Sequence, residues 1–177
     1  MEPPSIRVLS TVAFVLVTAT DIFYITLINA QGPSSQPYIS RYVASYVAVM
    51  AGLLVVALLP RPEIVPMRVA IRAAVAGGLF LLGFLFGVPL GMAFVIAGFL
   101  VFFALRRTAR DTRSRPARLS GLVAAAVAVA VLLTGLEVAE RIIVCPDKGN
   151  TAGGGSGLIT GPYQYECANG VGHFHSI

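Results

Sequence analysis

The stretch Arg106-Arg107-Thr108-Ala109-Arg110-Asp111-Thr112-Arg113-Ser114-Arg115-Pro116-Ala117-Arg118 carries six arginines between two long apolar runs. Lysine and arginine in short loops beside apolar spans are retained on the cytoplasmic side of a membrane. Residues 106–118 are therefore read as a cytoplasmic loop, and every other segment is oriented from it.

Composition places the chain in a membrane. Of 177 residues, 56% are hydrophobic and 12% are charged, against about 25% charged in soluble domains. Several apolar runs reach about 18 residues, the length that crosses a bilayer core as a helix. The net charge of +5 lies mostly in segments beside these runs. Topology accounts for it, and no basic-aromatic platform for nucleic acid is present. The bias to Arg, Ala, Val and Gly suits a GC-rich bacterial genome, so the expected site is the plasma membrane, as a bacterial inner-membrane protein. The apolar run after Arg7 is longer than a signal-peptide core. Ile28 also fits poorly at the third position before a cleavage site, so the run is read as a retained span.

The expected fold is all-α: a polytopic bundle over residues 1–144. Its five transmembrane helices lie near 8–28, 42–59, 69–86, 88–105 and 119–144. Residues 29–41, with Gly32, Pro33, Ser34, Ser35 and Pro37, read as a loop, and Pro60, Pro62 and Pro66 break the chain after the second span. Gly87-Val88-Pro89 reverses it between the third and fourth. Charge then sets the sidedness. A cytoplasmic N-terminus puts ten basic residues inside (Arg7, Arg61, Arg68, Arg72 and the six loop arginines). It leaves Arg41, Arg141 and Lys148, three, outside. The inverted arrangement is rejected. Residues 145–177 become an ordered extracytoplasmic tail stapled by a disulfide, with a flexible turn-rich patch at 153–157 and too few apolar residues for a core of its own.

Few residues can carry chemistry. Asp21 lies ~10 Å inside the outer end of the first span, where a lipid-facing charge costs roughly 2.5 kcal/mol or more. It must face protein or water. Thr18 and Tyr24 share its helix face, and Arg41, Ser45 and Tyr46 of the second span lie at matching depth. The six are read as one polar intramembrane cluster, either a proton or cation site or an interhelical hydrogen bond that fixes packing. Glu137 and Arg141 are four residues apart and pair on one helix face, with Glu140 beside them as outer-mouth charges. Cys145 and Cys167, both outside, are expected to form a disulfide that contributes about 3 kcal/mol. His173 and His175 would complete a Cys2His2 set, but the spacing matches no ligand pattern and no metal is assigned. Small residues at four- or seven-residue spacing mark close-packing faces: Ala74 with Gly78, Gly83 with Gly87, Gly91 with Gly98, and Gly121 with Ala125 and Ala128.

No catalytic triad, phosphate loop or haem-ligand pair appears, and no cofactor is implied. The leading reading is a membrane protein without catalysis of its own: an accessory subunit, assembly factor or sensor-like partner of a membrane complex. Its contacts would be lipid and a membrane protein partner or further copies of itself. The rival is a small transporter or channel with Asp21 as coupling residue. A third is a membrane enzyme with its site among Asp21, Glu137 and the tail. Reporter fusions after Thr112 and after Asn150 should lie on opposite sides of the membrane. The same side for both would refute the five-span topology.

Overall fold

A computed structural model describes residues 3–31, 37–60, 62–88, 90–112, 115–145, 147–157 and 159–176. Its helices are α1 (Pro4–Gln31), α2 (Pro37–Leu58), α3 (Arg68–Phe86), α4 (Leu90–Thr112) and α5 (Arg115–Arg141), with a short 3-10 helix (Pro62–Met67) before α3. All five α-helices are long and apolar enough to cross a membrane. The chain is thus a multi-pass membrane protein by length and composition. Gly32, Pro33, Ser34, Ser35, Arg61, Pro89 and Arg113 fall outside the described residues.

Two expectations need correction. The arginine stretch is mostly helix, because α4 runs on to Thr112 and α5 starts at Arg115. Arginine is a good helix former, and Pro116 is tolerated in a first turn, where an N–H would lack a helical partner. The fold is also not purely helical. The tail expected to be disulfide-stapled around a flexible glycine-rich patch, with no strands assigned, makes a three-stranded antiparallel sheet: β1 (Asn150–Gly155), β2 (Tyr163–Ala168) and β3 (Val171–Ser176), in the order β1-β2-β3.

Lipid tails are as apolar as leucine, so close packing holds membrane helices together. Helix α3 is the most buried of the five, and small residues let its neighbours approach it closely. A Cβ placed on Gly91 of α4 would lie 2.3 Å from the Gly83 carbonyl oxygen of α3, and one on Gly98 would lie 3.2 Å from the Phe80 ring. The two helices run antiparallel, joined where Gly87 ends α3 with φ of 61°, a conformation that favours glycine. Helix α5 runs parallel to α3, with Gly121 against Val69 and Gly77 against Ala125. Helix α2 crosses both: Tyr46 lies against Gly78 of α3 and donates to the Ala128 carbonyl of α5 at 2.9 Å. Tyr42 lies over Gly135 and donates to the Val131 carbonyl at 2.6 Å. Helix α1 packs on α2 and α4.

This arrangement gathers the basic helix ends at one end of the bundle. Arg68 donates to the Leu59 carbonyl at the end of α2 at 2.7 Å. Arg72, fully buried, donates to Thr108 Oγ1 in the last turns of α4. The sheet lies at the opposite end, after α5.

The tail folds for a reason that lies in its own residues. Along β2, Tyr163, Tyr165 and Cys167 are buried while the residues between them are exposed, the alternation of a half-buried strand. Asn169 and Gly170, both at positive φ (47° and 84°), join β2 to β3. An Asn-Gly pair of this kind makes the tight hairpin turn. Gly153 and Gly155 of β1 stand opposite Tyr165 and Tyr163, and the two rings lie over them. The glycine run leaves room for two tyrosines. Ile143, Cys145 and Cys167 complete this small cluster.

Candidate functional site

Asp21 is buried, 9% exposed, on the face of α1 that also buries Ile6, Ser10, Ala13, Val17 and Thr20. A helix carries one face every three to four residues, so these side chains line a single stripe. Thr20 returns its hydroxyl to the Leu16 carbonyl at 2.8 Å. Asp21 Oδ1, Thr18 Oγ1 and Ser10 Oγ are buried and make no hydrogen bond among the described residues. Most buried polar atoms are bonded, so three unbonded ones on one helix single it out.

The six residues expected to cluster separate into two groups. Tyr24 stays with Asp21, close enough to feel its charge, and its side chain bonds Ser40 of α2. Tyr46 and Ser45 do not reach Asp21. Tyr46 turns to α5, and Ser45 donates to the Arg41 carbonyl within its own helix at 2.9 Å. Arg41, Tyr42 and Ser45 line a groove between α2 and α5, on the side of α2 away from α1. Rotation about the axis of α2 aims these side chains away from α1. Ser40, which bonds Tyr24, carries no sequence signal of its own. One residue before Arg41, it stands about 100° round the helix from it, on the side facing α1.

The second polar group joins α5 to the tail. Glu137 is buried, 7% exposed. Its Oε1 accepts from Arg141 Nε at 3.2 Å and from the Thr160 hydroxyl, and its Oε2 accepts from the Ile159 N–H at 3.1 Å. Arg141 also donates to Thr160 and lies over the Tyr163 ring, 5.5 Å from its centre. Tyr163 donates to the Glu140 carbonyl at 2.8 Å. Burial, then the nearby Glu140 charge and hydrogen bond, hold the Tyr163 phenol above its ordinary value of 10.0, against the opposing pull of Arg141. The folded tail thus keeps this proton more tightly than the unfolded chain does. Its contribution is full below pH 10.0 and is lost as pH rises past it. Helix pairing of Glu137 with Arg141 was readable at four-residue spacing. Their role as a dock for residues 159–163 was not.

The disulfide is formed: Cys145 and Cys167, 5.5 Å apart at Cα, link the segment after α5 to β2. Its sulfurs are therefore taken from any Cys2His2 set. His173 and His175 are exposed on β3, opposite Glu166 and Gln164. No group of three or more metal-ligating side chains is gathered among the described residues.

No protein-family model, curated protein or solved structure matches the chain.

Glu137→Gln keeps the shape but removes the charge that draws Arg141, Ile159 and Thr160 together. Hydrogen bonds to a charged group contribute about 1.5–3 kcal/mol each. Limited proteolysis between β1 and β2 should speed up on the order of tenfold. An unchanged cleavage rate would show that Glu137 does not dock the tail.

Proposed function

We propose that the protein is a non-catalytic subunit of a membrane complex that receives a transmembrane helix of a partner protein. One observation carries this. Helices α4 and α5 both pack along α3 yet scarcely touch each other. Between them lies a groove of about 390 Å³, floored by Ala73, Ala76 and Gly77 of α3, with Gly121 and Ala125 of α5 along its wall. Phe102 and Leu122 stand on its rim, 40% and 70% exposed. A slot of small side chains admits another helix to close packing distance, where dispersion and backbone contacts act over its length. The slot opens sideways, toward what surrounds the bundle, and its lining is almost wholly apolar.

The proposed setting is the plasma membrane, with the N-terminus cytoplasmic and the sheet extracytoplasmic. Arg68 and Arg72 lie at the same end of the bundle as the arginine-rich ends of α4 and α5, which supports that end as the cytoplasmic one. The disulfide at the other end suits an oxidising compartment.

A photo-crosslinker at Leu122 should capture one protein of defined mass, and one at Val12 on α1 should not. Leu122→Ala with Phe102→Ala should lower co-purification of that protein about tenfold, the effect of ~1.4 kcal/mol, with the bundle still folded. Purification as a homo-oligomer with no stoichiometric partner would overturn the proposal.

A second reading, a small transporter coupled through Asp21, draws on the unbonded Oδ1. An unpaired carboxylate in a bundle interior costs several kcal/mol, a cost removed by a bound proton or cation. Asp21→Asn should then fold normally and abolish pH-dependent or cation-dependent uptake into vesicles. Under the subunit reading the same variant keeps both fold and partner.

A further inference from the structure

A second groove lies on the other flank of α5, at the sheet end, and its chemistry differs from that of the α4–α5 slot. It measures about 530 Å³ and runs between the start of α2 and the end of α5. Tyr38, Arg41 and Ser45 line one wall, and Thr134, Val138 and Ile142 line the other. Five of the lining residues are apolar aliphatic or glycine, four from α5 and Ile142 from just after it.

Arg41 is the charge in this groove. It is exposed, and no carboxylate pairs with it among the described residues. The acids nearest in sequence or depth are engaged or turned away. Glu137 faces the tail with Arg141, Ile159 and Thr160. Glu140 lies beside Tyr163 and Gly155. Asp21 lies on the α1 flank of α2 with Tyr24. The hydroxyls of Ser45 and Thr134 give their protons to carbonyls of their own helices, Arg41 and Ala130. The donors left facing the groove are the Arg41 guanidinium and the Tyr38 phenol.

Depth identifies the occupant. Arg41 is one turn inside the start of α2, and Tyr38 and Tyr42 flank it. Tyrosines sit at the headgroup level of a bilayer. The planar guanidinium fork matches a phosphate oxygen pair, and its charge complements an anion. Tyr42 sits over Gly135 and bonds Val131, which puts Val131 on the inner side of Arg41. Val131 and Val127, four residues apart and both exposed, offer an apolar track there of the kind an acyl chain covers.

We propose that this groove binds one anionic phospholipid, with its phosphate on Arg41 and Tyr38 and an acyl chain along α5. The site is independent of the partner-helix slot, which uses the first half of α5.

The test is native mass spectrometry of the full chain in detergent, titrated with phosphatidylglycerol or phosphatidylcholine. Wild type should retain one phosphatidylglycerol in preference to phosphatidylcholine. Arg41→Gln should weaken that retention about tenfold, the loss of one charge-assisted contact, and Arg41→Lys should fall between. Thr134→Trp, which fills the groove and leaves Arg41 in place, should abolish it. Both positions are exposed, and the size-exclusion profile of each variant reports that the fold is kept. Equal retention of the two lipids, or no effect of Arg41→Gln and Thr134→Trp, would overturn the site. Displacement by inorganic phosphate alone would overturn the lipid as its ligand. A photo-crosslinker at Val138 that captures protein and not lipid would do the same.

Discussion

Backbone contact between α3 and its two neighbours is the constraint on which the bundle depends. In water, burying apolar area would drive these helices together. In lipid that force is missing, and association rests on close packing and polar bonds between helices. Glycine at 83, 91 and 98 brings α4 onto α3, and glycine at 77 and 121 brings α5 onto its other side. Each removes the side chain that would hold the backbones apart. A methyl at Gly91 would collide with backbone, not with a flexible side-chain tip, so the helices would have to separate.

Polar bonds then set how the remaining helices are placed. Two phenols of α2 bond carbonyls of α5, so α2 and α5 become neighbours across α3. Two buried arginines bond groups at the ends of α2 and α4. At the far end a buried glutamate gathers an arginine, a threonine and a backbone N–H, and so seats the sheet on α5. These bonds form at helix ends and at helix crossings. In both places an unbonded polar group would be costly. Asp21, Thr18 and Ser10 depart from that pattern, which is why α1 draws functional interest although its length and composition match those of the other spans.

The same packing leaves two grooves of unlike chemistry on opposite flanks of α5. One is almost wholly apolar and floored by small residues; the other sets an arginine beside an aliphatic wall. Helix α5, the least buried of the five, is shared by both. Its C-terminal end also carries the tail, so one helix links the sheet to both open faces.

Much was legible in the residues. Apolar run length gives five spans, Pro60 to Pro66 gives the break before α3, and four-residue spacing gives the Glu137–Arg141 pair. Two cysteines, both beyond the last apolar run, give the disulfide. The sheet carries a signal too: Tyr163, Tyr165 and Cys167 alternate, and Asn169-Gly170 follows, a hairpin signature masked by the glycine run before it. What no reading of residues could supply is the rotation of each helix about its axis. A helix apolar on every side carries no amphipathic stripe to say which face points inward. Depth along α2 therefore put Tyr46, Ser45 and Arg41 level with Asp21, yet packing against α3 and α5 turned all three to the other side.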